Sequence, residues 1–248
     1  MESHVTTLAN NWNDLGRRVT NALEAGIPVL LSGPPGTGKS HLARTLATKT
    51  VDPQVNRPAD ITLTDETPAA ELRGHYIPKG GDFVWQDGPA SAIFRYGGRL
   101  ILQEIDHAGP DVMDLLHVIL EGSLGTITLP NGDTIVGSAN IEIVATTNSA
   151  LHYMREAIQS RFVEFPVVSP DPSVLNHFPS DMAPVVAATV ASTSSDRVDI
   201  RRWFMVKRLR DVGVGLEEAL NTVLGEQRAS GIADAMRVDD NVEGEGMV

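Results

Sequence analysis

Gly33-Pro34-Pro35-Gly36-Thr37-Gly38-Lys39-Ser40 is the stretch whose residue types and spacing most plainly suit chemistry. It fits the pattern G-x-x-x-x-G-K-[ST] in full. Its glycines let a backbone wrap closely around a polyphosphate and turn successive N–H groups inward. Lys39 offers an ammonium to the outer phosphates, and the Ser40 hydroxyl is placed to ligate Mg²⁺. A helix opening near Lys39 and running through His41 adds its dipole and its free N–H groups. A chance match in a chain of this length is about a one-in-a-hundred event. The run 33–41 is therefore the expected nucleotide site, with ATP and Mg²⁺ as its ligands.

A second candidate follows about sixty residues later. Leu100-Ile101-Leu102-Gln103-Glu104-Ile105-Asp106 is an apolar strand that ends in acids. Alone it could be a core strand with solvated carboxylates at its exit. Beside a phosphate loop, Glu104 becomes the candidate general base or water-positioning group. The residue before it is normally aspartate in such sites, and here it is Gln103. A glutamine carbonyl can accept from a metal-bound water, so Gln103 is expected to serve Mg²⁺ indirectly. It brings no negative charge, which should weaken metal affinity and turnover.

These residues need elements to hold them. Apolar residues from Val5 to Leu23 recur at helical spacing, and Gly26 ends that run. Buried strands are expected at Ile27–Leu31, Asp60–Leu63, Arg99–Gln103, Ile141–Thr146 and Phe162–Phe165. Helices are expected at Lys39–Lys49, Thr67–Arg73, Pro89–Tyr96, Pro110–Glu121 and Met154–Ser160. Gly74–Gly88 carries Tyr76, Lys79, Phe83 and Trp85 in a glycine-rich hairpin or loop. Asn131-Gly132 between β-prone runs marks a second hairpin. Strands alternating with helices give an α/β fold: a parallel sheet covered on both faces, in three layers. After Phe165 prolines punctuate the chain, and Asp199–Arg210 and Leu216–Leu224 read as helices. The expected organisation is a core over 1–170, a small all-helical domain over 171–236, and a disordered acidic tail over 237–248.

Composition narrows the function. The chain has 248 residues and a formal net charge of −12, which disfavours non-specific nucleic-acid binding. It has no cysteine, so disulfides, thiolate metal sites and cysteine catalysis are excluded. Its seven histidines show no metal-ligand spacing. Neither a signal peptide nor a membrane span is visible, and a cytoplasmic protein is expected.

Taken together, the motifs resemble AAA+ ATPases of the helix-2-insert group, which contains the MoxR-type, CbbQ, NorQ and gas-vesicle proteins. The phosphate loop carries the resemblance, with Glu71-Leu72-Arg73-Gly74, Gly88-Pro89, Gly97–Asp106, His117–Gly122 and the Asn131-Gly132 hairpin. The resemblance implies a P-loop core followed by a helical lid. It makes Asn148, at the end of Ile143–Thr147, a sensor for the attacking water or γ-phosphate. It makes Arg161, in Ser160-Arg161-Phe162, an arginine finger for a neighbouring subunit, with Arg155 as its competitor. It places a phosphate-sensing arginine at Arg201, or at Arg202 beside it. It implies a homo-oligomeric ring, a hexamer, that acts on a protein client, often beside a von Willebrand factor A domain protein. The 74–88 aromatics would either grip that client at the pore or pack the insert against the core. Two other classes stay open: a nucleotide-dependent scaffold with slow hydrolysis, because of Gln103, and a nucleic-acid motor.

Overall fold

The computed structural model describes residues 2–52, 57–149, 154–192 and 196–233. The tail expected at 237–248 lies outside them, as do residues 234–236. The chain forms two compact units. One comprises Asn13–Pro34 and Gly38–Val167. The other comprises Val168 onward, with Pro35–Thr37 and the residues up to Trp12.

The first unit is built on a five-stranded sheet. Its strands are β1 (Val29–Ser32), β2 (Ala59–Thr62), β5 (Gly98–Gln103), β8 (Ile141–Thr147) and β9 (Val163–Pro166). They run in the order β2-β5-β8-β1-β9, every pair parallel. Both faces are covered, as such a sheet requires. Leu30, Leu100, Leu102, Ile143 and Ala145 face a core shared with α4 (Pro89–Tyr96) and α5 (Pro110–Ile119). The alternate residues Val29, Leu31, Ile101 and Val144 are equally buried, as are Leu42 and Ala43 of α2 (Lys39–Thr45). Helix α1 (Glu2–Glu24) buries Val19 and Leu23, and Arg18 lies over the Phe165 ring at 5.3 Å.

Two hairpins leave the sheet. After α3 (Ala69–Arg73), β3 (Gly74–Lys79) pairs with β4 (Asp82–Asp87). Gly80 and Gly81 have φ of 63° and 96°, the left-handed pair that a tight two-residue turn needs. The glycine-rich segment is therefore a hairpin. β6 (Thr126–Thr128) pairs with β7 (Thr134–Val136) across the Asn131-Gly132 turn. Arg95 of α4 ties this turn to the core through Asp133, at 2.5 Å. That guanidinium, and then the Asn131 amide, holds the Asp133 carboxyl below the usual aspartate range.

One expected element is shortened. The helix expected to reach Lys49 stops at Thr45, because Leu46 turns to extended backbone. The chain then turns so that Thr48 and Thr50 both donate to the Glu142 carboxylate. Between Met154 and the last strand, α6 is a single turn, Glu156–Gln159.

The second unit is helical. It contains a 3-10 stretch (Pro172–His177), α7 (Ala183–Ala191), α8 (Ile200–Asp211), α9 (Leu216–Leu224) and a helical segment at 226–233. Its core gathers Phe178, Met182, Val186, Trp203, Val206 and Leu220. The fully buried Trp203 donates its indole N–H to Thr189 at 2.9 Å. Helix α7 is apolar on all sides, so periodicity gave no sign of it. Among the described residues no helix is long and apolar enough to cross a membrane.

Candidate functional site

Parallel strands end on one edge of their sheet, and that edge collects the chemistry here. The glycine-rich loop leaves β1, Gln103 and Glu104 leave β5, and Asn148 leaves β8. Gly33, Gly36 and Gly38 have φ of 139°, 74° and 88°, values that side-chain-bearing residues rarely adopt. Gly33 also needs the space: a Cβ there would sit 2.3 Å from the Val167 carbonyl oxygen. The glycines of 33–38 thus allow a tightly turned backbone that side-chain-bearing residues would resist.

Lys39 is buried at the start of α2. Its ammonium donates to Gly33 O at 2.6 Å, Pro34 O at 2.9 Å and Asn148 Oδ1 at 3.0 Å. Lysine and asparagine, 109 positions apart, therefore meet. Ser40 donates to Gln103 Oε1 at 2.7 Å, and Thr146 donates to the same oxygen at 2.9 Å. The Gln103 amide donates to Asp60 Oδ1 at 3.2 Å. The Ser40 hydroxyl and the Gln103 carbonyl oxygen are ligand types that could hold a hydrated Mg²⁺, and the Lys39 ammonium is one that could bind phosphate.

Glu104 stands next to this group with an exposed carboxylate and a left-handed backbone, φ 54° and ψ 50°. Its N–H donates to the Thr146 hydroxyl at 3.2 Å. Asp106, two residues on, accepts from Ser149 at 3.0 Å.

The remaining candidates lie elsewhere. Arg161 precedes β9, whose first residue pairs with Val29 at the start of β1. It is therefore at the opposite end of the strands from the phosphate loop. It donates to Ala157 O at 2.6 Å and lies 3.5 Å from Glu121. Arg155 is exposed just before α6. Arg201 and Arg202, both exposed, open α8 in the second unit, where Asp199 caps the helix by accepting from the Arg201 N–H at 2.8 Å. His41 is exposed on α2. In the β3–β4 hairpin, Trp85 packs on the core and against Tyr76, edge to face at 5.3 Å. Phe83 is 75% exposed and Tyr76 50%. Trp85 and Tyr76 thus pack on one another, while Phe83 faces solvent.

Sequence reasoning missed Asp60 and Thr146, which share the Gln103 amide. It also missed a buried ion pair. Arg99 and Glu142 are paired residues of β5 and β8, 2.6 Å apart, with side chains 0% and 1% exposed. Arg99 also donates to Ala43 O and Leu46 O, at 3.0 and 2.6 Å, and so satisfies carbonyls at the end of α2. A signal was present: a charge of opposite sign near the start of each of two apolar strands.

The family model of the AAA domain (dynein-related subfamily) matches residues 28–162. The protein NorQ of Paracoccus denitrificans is 28% identical over 187 residues, which span 70% of this chain and 67% of that one. The protein CbbQ of Hydrogenophilus thermoluteolus is 26% identical over 80% of this chain and 71% of its own. The denitrification regulatory protein NirQ of Pseudomonas aeruginosa is 27% identical over 56% of this chain and 53% of its own. Among solved structures, NtrX from Brucella abortus in complex with ADP aligns at TM-score 0.55 and 16% identity, over 90% of this chain and 54% of that one. A point mutant of RuvB from Thermotoga maritima aligns at 0.53 and 16%, over 94% and 71%. These two likenesses concern the fold.

Proposed function

This chain belongs to the AAA domain family, dynein-related subfamily, among the MoxR-like AAA+ ATPases, and on that premise we propose that it hydrolyses ATP as one subunit of a ring. The observation that carries the reading is the meeting of Lys39, Ser40, Gln103 and Asn148 at one edge of the sheet. In this reading the loop amides of 33–38 and the Lys39 ammonium bind the phosphates. Mg²⁺, held by Ser40 directly and by Gln103 through water, would neutralise charge developing on them. Glu104, whose carboxylate is exposed beside the metal side, orients water and takes its proton. Asn148 moves from the lysine to the γ-phosphate or the water. Arg161 lies at the far end of the strands from its own loop, so it would serve a neighbour's. Arg201 or Arg202 would sense phosphate from α8.

The client proposed is a protein, and the resemblance points to one with a von Willebrand factor A domain, in the cytoplasm. The net charge of −12 supports a protein over nucleic acid. A second reading, a nucleotide-dependent regulator that turns over slowly, draws support from Gln103, whose amide lacks the usual carboxylate's charge. It also fits relatives such as NirQ, named for denitrification regulation.

Phosphate release measured against protein concentration tests the proposal. Turnover per chain should rise as subunits assemble. Glu104→Gln should bind ATP yet release phosphate about a hundredfold more slowly, and Arg161→Ala should lose the concentration dependence. A wild-type rate that matches Glu104→Gln would leave only the regulator reading.

A further inference from the structure

A glutamine beside a metal site has a difficulty that an aspartate does not. Its two terminal atoms are opposite in kind: the oxygen accepts and the NH₂ only donates. Turned one way, Gln103 offers an acceptor to the water shell of a cation near Ser40. Turned the other way, it offers two N–H groups, which no metal-bound water can use. What fixes the direction is therefore part of the site.

Gln103 has three side-chain partners: Ser40 and Thr146 at its oxygen, and Asp60 at its nitrogen. The two hydroxyls can donate or accept and would tolerate either direction. A carboxylate only accepts, so Asp60 alone discriminates. Its other oxygen is held by Arg44 from the last turn of α2. The register supports this geometry. Asp60 pairs with Ile101 in parallel β2 and β5, so Asp60 and Gln103 share the sheet face that α2 covers. The Asp60 side chain is 24% exposed, on an edge strand. Nothing in the packing of the core needs a carboxylate there.

We infer that Asp60 is a positioning residue for magnesium: by accepting from the Gln103 amide it keeps the Gln103 carbonyl turned toward Ser40. The inference rests on the nucleotide and magnesium reading of the loop. It also explains how the chain carries a glutamine where an aspartate is usual: the negative charge sits one strand over and orients the neutral side chain.

The test is a double-mutant cycle read by binding alone. Affinity for a fluorescent N-methylanthraniloyl ATP is measured in EDTA and in Mg²⁺, for wild type, Asp60→Ala, Gln103→Asp and the double variant. Affinity in EDTA should be unchanged by Asp60→Ala, which also shows that the fold is intact. The enhancement by Mg²⁺ should fall about tenfold in Asp60→Ala, the worth of one oriented hydrogen bond to the metal's water shell. Asp60→Asn should lose about as much, since Arg44 claims the single amide oxygen and the NH₂ left facing Gln103 no longer fixes its direction. In the Gln103→Asp background the sign reverses. There Asp60 is a like charge close to the introduced carboxylate, so removing it should leave the enhancement unchanged or raise it. A general structural role for Asp60 would lower both backgrounds alike, and that result, or no effect on the wild-type enhancement, overturns the inference alone. Failure of the wild type to bind the probe even in EDTA overturns the nucleotide reading, and this inference with it.

Discussion

Glu104 has φ 54° and ψ 50°, the left-handed region, and among the described residues it is the only non-glycine with positive φ. Such a conformation costs a side-chain-bearing residue about 1–2 kcal/mol, and strain of this kind concentrates at functional positions. The sequence marked Glu104 as the acid at a strand exit but gave no sign of the strain. Tertiary bonds impose that conformation: the Glu104 N–H is held by Thr146 while Gln103 is held by Thr146, Ser40 and Asp60. Glu104→Gly should therefore gain about 1 kcal/mol of stability to urea while phosphate release falls to background. A less stable Glu104→Gly protein would show that the backbone is unstrained there. Lys39, Ser40 and Gln103 were legible because motif spacing fixes them. Asp60 was not, because its role depends on which strand lies beside β5, and adjacency in a parallel sheet is not written in spacing.

Helix α2 has only seven residues, yet it carries the phosphate loop's lysine and serine. Too short to be stable alone, it is fixed by its ends. At its start Lys39 is bonded to loop carbonyls, and at its end Arg99 satisfies Ala43 O and Leu46 O. Glu142 in turn holds Arg99 and the two threonines that follow the helix. Sequence periodicity gave the helix and the strands to within a few residues. It overran the helix's end because the stop is made by a side chain from another strand, not by a local glycine. Removing one partner of a buried pair leaves a bare charge, which costs about 3–5 kcal/mol. Arg99→Met should lower stability by that amount, and adding Glu142→Leu should recover only the part due to the bare charge, since Ala43 O, Leu46 O, Thr48 and Thr50 still lose their partners, as read by denaturant melts. A single variant as stable as wild type would contradict the role given to the pair.

At the scale of the molecule, an α/β unit and a helical unit were legible from strand–helix alternation and its loss after Phe165. Helix α7 was not, since a helix apolar on all sides has no period to read. Arg161 lies at the far end of the strands from its own loop, so the finger role proposed for it needs a second copy of the chain. The ring, the finger and the positioning of Gln103 all presuppose that the loop grips a nucleotide. Isothermal titration of wild type and Lys39→Ala with ATP and Mg²⁺ asks that directly. Wild type should give saturable heat at one nucleotide per chain, and Lys39→Ala none, with its fold intact by circular dichroism. No heat from folded wild-type protein, or equal affinity in the two, would contradict that grip.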